Sequence, residues 1–499
     1  MTEPALHPAL NGPGFLRRAE LISRLRARLP AAAVLHEPED TTPYECDGLS
    51  AYRQRPMLVV LPATEDEVGF VLRECHALGV AVVARGAGTG LSGGALPLAD
   101  GVLLSLARLN RVLSIDPLAR VARVQPGVRN LAVSEAAAVH GLYYAPDPSS
   151  QIACTIGGNV AENSGGVHCL KYGLTVHNVM RLAGFTADGQ PIELGAESLD
   201  VAGLDLLALV VGSEGMLAVV TEVSLRLIPR PQVARCIMAS FATVESAGDA
   251  VAAVIGAGII AAGLELMDQP AVKAVEQFVH AGYDLDAAAI LLCESDGTTE
   301  EVENEIEHMA SVLRAAGATA IRVSDSEAER QRFWAGRKAA FPAVGRISPD
   351  YYCMDGTIPR KRLAEVLRFI GEAERRYGLR CPNVFHAGDG NLHPLILFDA
   401  NDPDQLARTE AFAADVLEKC VQVGGTITGE HGVGIEKINQ MCVQFAPAEL
   451  AAFRAVRRAF DPDERLNPGK NIPSLHRCAE YGRQHVGGGR LPFPDLPRF

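Results

Sequence analysis

Two glycine-flanked segments in the C-terminal half of the chain bring together histidines and carboxylates. One segment, VFHAGDGNLHPL, holds His386 and His393, and the other, GGTITGEHGVGIEK, holds Glu430 followed by His431. A glycine-containing turn between the two histidines could direct both imidazoles toward one point. Two neutral imidazoles and one carboxylate form a divalent-metal site that leaves coordination positions open for a substrate. His431 would then be free to act as a base, because an imidazole titrates near neutral pH.

A glycine-rich loop in the N-terminal half has the composition of a phosphate-binding segment. Residues 85–94, RGAGTGLSGG, satisfy the pattern G-x-G-x-x-G at Gly88, Gly90 and Gly93. A nicotinamide-binding fold needs a helix directly after this loop, with the helix N-terminus toward the pyrophosphate. Pro97 and the residues that follow favour a strand instead, so we reject a nicotinamide-binding fold. Successive backbone N–H groups could still surround a pyrophosphate; the alternative is a glycine-rich turn that binds no ligand.

Two further segments combine glycine with small polar side chains. Residues 146–166 read PDPSSQIACTIGGNVAENSGG, and residues 211–221 read VGSEGMLAVVT. Glycine permits the close approach of a backbone to a ligand, and amide and hydroxyl groups supply hydrogen bonds. These two segments therefore strengthen the ligand-binding interpretation of the first loop.

The composition limits the classes of function that fit this chain. The 499 residues are 48% hydrophobic and 21% charged, as in ordinary globular proteins. A formal net charge of −14 argues against nucleic acid as a partner. Eleven cysteines without a C-x-x-C pattern argue against a disulfide framework, an iron–sulfur site and a thiolate zinc site. The longest apolar stretch, Ala250–Leu264, has 15 residues, whereas a membrane span needs about 20, so we expect a buried helix that leads into a strand.

The patterning of the chain predicts an α+β protein with two main domains. Thr64 followed by Glu67 predicts the start of a helix, and residues 112–115 and 121–124 predict a hairpin. Longer helices and strands alternate from about residue 235. The predicted organisation is a helical segment at 1–55, a cofactor-binding domain at 56–234, an α+β substrate or cap domain at 235–445, a helical segment at 446–475 that returns to the first domain, and a tail at 476–499.

The three glycine-rich segments, in this order over about 140 residues, resemble the flavin-binding domain of the vanillyl-alcohol oxidase family, the PCMH-type FAD enzymes. The resemblance implies that the first segment wraps the FAD pyrophosphate, that the second follows the flavin and ribityl chain, and that the third lines the adenine end. It implies non-covalent FAD, since no histidine lies between His76 and His140. The cofactor-binding residues so implied are Arg85, Gly86, Ala87, Gly88, Thr89, Gly90, Ser92, Gly93, Pro146, Asp147, Thr155, Ile156, Gly157, Gly158, Asn159, Ala161, Ser164, Gly165, Gly166, Glu214, Gly215, Val220 and Asn391.

The sequences HAGDGNLH and GEHGVG resemble the C-terminal-domain signatures of flavin-linked 2-hydroxyacid dehydrogenases. This resemblance implies that His386, His393 and Glu430 hold a divalent metal, either zinc or another transition metal. It also implies that His431 abstracts the proton of the substrate hydroxyl group.

A further stretch, residues 332–359, resembles most the FAD-binding subunits of bacterial glycolate oxidases within this family. The resemblance implies that Arg337 binds the substrate carboxylate, for which a guanidinium group is well suited. Relatives that act on 2-hydroxyglutarate carry a threonine and a lysine for the distal carboxylate, and the nearest equivalents here are Phe341 and Cys353. We therefore expect the oxidation of a short 2-hydroxyacid by hydride transfer to flavin N5, either glycolate to glyoxylate or D-lactate to pyruvate.

The resemblance also implies partners, namely a second FAD-type subunit and an iron–sulfur subunit that pass electrons to membrane quinones. It implies a cytoplasmic location and leaves open an association with the inner face of the membrane through those subunits. The alternatives are a D-lactate dehydrogenase that acts alone, a metal-dependent hydrolase without flavin, and a scaffold that retains FAD without activity. In the hydrolase alternative the glycine loops would have a purely structural role.

Overall fold

The computed structural model describes residues 13–198 and 202–473. Residues 1–12 of the predicted N-terminal segment and the whole predicted tail lie outside this range. The strands are β1 Val34–Leu35, β2 Leu58–Val60, β3 Val82–Arg85, β4 Val102–Ser105, β5 Val112–Asp116, β6 Val121–Val124, β7 Leu142–Tyr143, β8 Val179–Phe185, β9 Pro191–Gly195, β10 Val219–Arg226, β11 Ile228–Pro229, β12 Val233–Phe241, β13 Gly263–Asp268, β14 Ala289–Gly297, β15 Ala320–Val323, β16 Asp350–Cys353, β17 Val384–Phe385 and β18 Leu395–Phe398.

Helices and strands occur in both halves of the chain, as the α+β prediction requires. The α-helices are α1 Pro13–Arg26, α2 Pro38–Thr41, α3 Glu65–Ala77, α4 Asn130–Ala137, α5 Ile156–Glu162, α6 Cys169–Tyr172, α7 Thr175–Asn178, α8 Leu206–Val210, α9 Val244–Gly256, α10 Gln269–Val279, α11 Thr299–Ala315, α12 Glu327–Lys338, α13 Ala340–Val344, α14 Leu363–Tyr377, α15 Pro403–Gln422, α16 Met441–Gln444 and α17 Pro447–Phe460. Short 3₁₀ helices are Ala31–Ala33, Thr42–Tyr44, Ala138–His140 and Arg360–Arg362.

The first domain contains two main sheets and a two-stranded antiparallel sheet formed by β7 and β11. One sheet has the order β1-β2-β4-β3, in which β2, β4 and β3 run parallel; the other is antiparallel with the order β5-β6-β10-β8-β9. The predicted hairpin is the antiparallel pair β5–β6. At the start of α3, Thr64 Oγ1 accepts the N–H of Glu67 at 3.3 Å, and the Glu67 carboxylate accepts the N–H of Ala63 at 2.6 Å. This reciprocal capping explains why the helix begins where the sequence predicts.

The second domain is a sheet with the order β15-β12-β14-β13-β17, and its strands pair antiparallel. Successive side chains of a strand point to opposite faces of a sheet. Ile237 and Ala239 therefore pack with α9, α11, α14 and α15, whereas Cys236 and Met238 pack with α10, α12 and α13. The long apolar stretch forms the end of α9 and the start of β13, as predicted, and it is mostly buried.

The last described segment returns to the first domain beside the glycine-rich loop. Val82 donates its N–H to the Arg465 carbonyl at 2.9 Å, and Asn467 donates its N–H to the Val82 carbonyl at 2.8 Å. Lys470 Nζ donates to the Gly94 carbonyl at 3.1 Å. Among residues 13–198 and 202–473, none of the helices combines the length and the apolar character that crossing a bilayer requires.

Candidate active site

A cavity of about 360 Å³ lies where the two domains meet. The first domain contributes all three glycine-rich segments to its wall, and the second domain contributes Lys338, Phe341, Pro342, Tyr351, His393, Glu430 and His431. The predicted cofactor residues that line it are Arg85, Gly86, Ala87, Gly88, Thr89, Gly90, Thr155, Gly157, Gly158, Asn159, Ala161, Ser164, Glu214, Gly215 and Val220. The predicted site residues outside the lining are Ser92, Gly93, Pro146, Asp147, Ile156, Gly165, Gly166, Arg337, His386 and Asn391.

Glycine is required where the first loop meets the second segment. A Cβ atom at Gly86 would lie 2.2 Å from Thr155 Oγ1. Gly88 has a φ of +71°, and a Cβ atom there would lie 2.1 Å from Arg85 Nη2. The loop therefore presents bare backbone to the cavity, which is the arrangement that fits a pyrophosphate group.

Some of the predicted cofactor residues contact other protein groups in the structure. Ser92 Oγ donates to the carbonyl of His431 at 2.9 Å, so the first loop supports the segment that carries the candidate base. Asp147 lies 2.8 Å from His168 Nδ1, and Ile156 is fully buried in the core of the first domain. Sequence spacing does not distinguish these contacts from contacts with a cofactor.

The predicted metal ligands converge at the cavity. His386, His393 and Glu430 each offer one ligand atom, and these atoms all lie within 4.8 Å of one another. Glu430 Oε1 is 3.3 Å from His386 Nε2 and 3.2 Å from His393 Nε2. Neither ring nitrogen of His393 has a hydrogen-bond partner among the described residues, although both are buried. An orphaned buried imidazole beside a second imidazole and a carboxylate fits a divalent transition metal.

Electrostatics divide the histidines into two kinds. Burial opposes the charged form of His386, but the adjacent carboxylates of Glu265 and Glu430 prevail and raise the pKa of His386 well above its usual value. Burial lowers the pKa of His393 to about 3. Burial also lowers the pKa of His431, although Asp355 and Glu430 act in the opposite direction. His393 and His431 are therefore neutral at pH 7, the form in which an imidazole binds a metal or accepts a proton.

A buried carboxylate on β13 orients His386. Glu265 Oε1 lies 2.8 Å from His386 Nδ1, and Arg337 Nε donates to Glu265 Oε2 at 2.7 Å. Glu265 and Arg337 are each about 1% exposed. This carboxylate fixes the ring so that Nε2 faces the cluster, as the outer partners of metal-binding histidines do. Arg337 was predicted from sequence and Glu265 was not; Glu265 lies in a strand without any local motif.

A second buried carboxylate holds the turn that carries Glu430 and His431. Asp355 accepts the backbone N–H groups of Gly429, Glu430 and His431 at 3.0, 2.9 and 2.7 Å. Lys437 Nζ also donates to Asp355. Burial opposes ionisation, but the Lys437 ammonium group and His431 lower the pKa of Asp355 to about 2. The turn is thus fixed by a charged pair that sequence reasoning did not identify.

The His431 ring is placed by stacking as well as by the turn. Its plane lies 5° from that of His393, with the ring centroids 4.9 Å apart. Its Nε2 is 3.8 Å from Glu430 Oε1, and its buried Nδ1 has no hydrogen-bond partner in the described part of the chain. The base candidate therefore lies in the cavity wall directly beside the candidate metal ligands.

Glu214 joins the two domains beneath this turn. Its two carboxylate oxygens accept the N–H groups of Val433 and Gly434 at 2.7 and 2.8 Å. Glu162, which sequence reasoning passed over, also lines the cavity, and burial together with the nearby Glu214 raises the pKa of Glu162 well above its usual value. Glu214 thus positions the catalytic turn against the glycine-rich segments.

The domains correspond to two known protein families. Residues 56–195 match the model described as "FAD binding domain", and residues 230–471 match "FAD linked oxidases, C-terminal domain". The chain belongs to the FAD-linked oxidases and is an FAD-linked oxidoreductase. This assignment confirms the predicted family and the predicted FAD, and it leaves no support for a hydrolase without flavin.

Comparisons with individual proteins show which members of the family this chain is similar to. The chain is 61% identical over 482 residues to the glycolate oxidase subunit GlcD of Escherichia coli strain K12, with 97% of each chain covered. It is 31% identical over 463 residues to a D-lactate dehydrogenase of Anaerostipes hadrus, which covers 90% of this chain and 97% of that one. The crystal structure of p-cresol methylhydroxylase with bound substrate matches with a TM-score of 0.78 at 16% identity, covering 92% of this chain and 98% of that chain. This last match supports the predicted PCMH-type fold.

Proposed function

We propose that this chain oxidises glycolate to glyoxylate as the catalytic subunit of a glycolate oxidase complex. The observation that carries the proposal is the placement of His431 and the candidate ligands His393 and Glu430 in the same cavity as the glycine-rich segments of the FAD-binding domain. The relative at 61% identity, named a glycolate oxidase subunit, favours glycolate over the D-lactate alternative, whose named relative stands at 31%.

We further propose that His386, His393 and Glu430 hold a divalent transition metal, such as zinc. The support is the donor set, the convergence of three ligand atoms within 4.8 Å and the orientation of His386 by Glu265. A bound cation of this kind supplies a Lewis acid that polarises the substrate oxygen and lowers the pKa of the hydroxyl group.

In this scheme His431 accepts the hydroxyl proton of the substrate. Bound FAD supplies the acceptor for the hydride from the substrate Cα, so the substrate loses two electrons and two hydrogen atoms in total. The lowered pKa of His431 keeps its imidazole neutral at pH 7, and its stacking on His393 fixes the ring at the cavity wall. A general base held within hydrogen-bond reach of the proton that it accepts typically increases the rate by about 10²–10⁴-fold.

The proposed substrate is small and anionic. The Phe341 ring lies 6.3 Å from that of His393 and 5.8 Å from that of Tyr351, measured between centroids. This aromatic wall restricts the space beside the candidate metal ligands. We retain the proposal that Arg337 contributes to carboxylate binding, because its Nη2 is buried and has no hydrogen-bond partner among the described residues.

We propose that the electrons leave the chain through a partner and are not passed directly to oxygen. The relative's designation as a subunit supports a multi-subunit assembly. We propose a second FAD-type subunit and an iron–sulfur subunit that deliver electrons to membrane quinones, which would place the complex at the inner face of the membrane.

The test is an anaerobic experiment with the purified holoenzyme. Glycolate should bleach the oxidised flavin absorbance and yield one equivalent of glyoxylate per flavin, and D-lactate should do so more slowly. Faster bleaching with D-lactate than with glycolate would make D-lactate the preferred substrate and would contradict the choice of glycolate. No bleaching with either acid would contradict the proposed function.

A further inference from the structure

The second domain places on the cavity wall a lysine whose side chain has no partner among the described residues. Lys338 is the last residue of α12 and lines the cavity together with Phe341, three positions further along the chain. Its side chain is exposed, and it makes no hydrogen bond or ion pair within the described part of the chain. Since the Phe341 ring packs against His393, Lys338 stands on the side of the cavity that holds the candidate base.

The arginine side chains near the cavity already make hydrogen bonds or ion pairs with other groups. Arg85 and Lys338 are the only arginine or lysine among the described lining residues. Arg85 Nη1 donates to the Cys46 carbonyl at 2.6 Å, and Arg85 belongs to the glycine-rich loop. Arg337 lies outside the lining and is paired with Glu265.

The cavity wall also carries acidic side chains. Glu162, Glu214 and Glu430 all belong to the lining. A positive group on the same wall therefore favours the approach of a negatively charged substrate from solvent. A lysine suits this role, because its compact ammonium group on a flexible four-carbon stem can follow a mobile anion.

We propose that Lys338 binds the carboxylate of the incoming 2-hydroxyacid. This inference rests on the proposed function for the identity of the acid, but the capture of a small carboxylate can be measured without turnover. In this arrangement Lys338 acts from the solvent side, and its removal leaves the pair of Arg337 and Glu265 intact.

The test uses the FAD-loaded protein with Lys338→Met, Lys338→Arg and Lys361→Met. Lys361 is an exposed lysine outside the cavity lining and serves as the matched control. Oxalate, which cannot be oxidised by hydride loss, is titrated while the visible spectrum of the bound flavin is recorded. The KM and kcat for glycolate are measured in parallel, at low and at high concentrations of NaCl.

We expect Lys338→Met to weaken oxalate binding and raise the KM for glycolate by about three- to tenfold, with a smaller effect on kcat. The KM of the unmodified protein should rise with salt, and that of Lys338→Met should rise less, because salt screens exposed charges. Lys338→Arg should retain most of the affinity, and Lys361→Met should match the unmodified protein.

Unchanged oxalate affinity and KM in Lys338→Met would overturn the inference, as would a loss confined to kcat. An equal effect of Lys361→Met would show that the loss of affinity depends only on the net charge of the protein, and this outcome would also overturn the inference. If glycolate fails to reduce the flavin of the unmodified protein, the proposed function fails, but the oxalate titration still decides whether Lys338 binds a carboxylate.

Discussion

Replacing Glu265 with glutamine should weaken metal binding, although Glu265 is not itself one of the candidate ligands. Glu265 is about 1% exposed and accepts two contacts, from His386 Nδ1 at 2.8 Å and from Arg337 Nε at 2.7 Å. A glutamine side chain keeps the shape, but its amide nitrogen cannot accept a hydrogen bond, so one of these two contacts is lost. Loss of such an outer partner typically reduces metal affinity by about 10- to 100-fold, or about 1.4–2.7 kcal/mol.

The same substitution should also destabilise the fold. Arg337 would remain buried with its charge uncompensated, and breaking a buried ion pair in this way costs about 3–5 kcal/mol. The first assay is a zinc titration of the metal-stripped protein in competition with a chromogenic chelator. The second is urea denaturation, which gives the free energy of unfolding.

Asp268→Asn provides the matched control for Glu265→Gln. Asp268 lies on the same strand, is about 6% exposed and accepts hydrogen bonds from Ala271 and Asn383 without contacting the candidate ligands. This control keeps the cap on Ala271, but an amide nitrogen in place of Oδ2 cannot accept the hydrogen bonds of Asn383, so it should lower stability by about 1–3 kcal/mol and leave the zinc affinity unchanged. Zinc binding by Glu265→Gln as tight as in the unmodified protein would refute the role assigned to Glu265.

Two further predictions concern the domain contact and the cofactor loop. His168 lies 2.8 Å from Asp147 and 3.2 Å from Glu294 of the second domain, and these carboxylates overcome the effect of burial and raise the pKa of His168 well above 6.5. The resulting stabilisation is fully present below pH 6.5 and is lost as the pH rises through the folded-state pKa of His168. His168→Asn should therefore lower the free energy of unfolding by about 1–3 kcal/mol at pH 6 and by less at pH 9. Urea denaturation at both pH values measures this difference, and an equal loss at both would contradict the prediction. Gly86→Ala should lower FAD affinity at least about tenfold, because the added Cβ would lie 2.2 Å from a neighbouring hydroxyl oxygen. The control is Gly371→Ala, whose added Cβ meets no atom within 4 Å. Fluorescence titration with FAD measures the affinity of both variants.

Local sequence signals were sufficient for much of the architecture. The Thr64 N-cap marks the start of α3, and the apolar stretch Ala250–Leu264 divides into a helix end and a strand as predicted. These features depend on residues a few positions apart, which is the range over which sequence patterns act.

The site was predictable only in part. The candidate metal ligands could be anticipated because His386, His393 and Glu430 lie on glycine-flanked turns, and the structure brings them together. Glu265 and Asp355 could not, since each reaches the site from a strand or loop far away in sequence and carries no local motif. For Arg337 the pattern selects the residue but does not reveal that its side chain pairs with Glu265 outside the cavity lining, so its role toward a carboxylate stays a prediction.

The central claim is that His431 acts as the base beside the bound flavin. The most direct test compares the rate of anaerobic flavin reduction by saturating glycolate in the unmodified protein and in His431→Gln, with FAD and metal content measured in both. The account predicts a rate lower by about 10²–10⁴-fold with the FAD content unchanged. Flavin reduction at the unmodified rate in His431→Gln would contradict it.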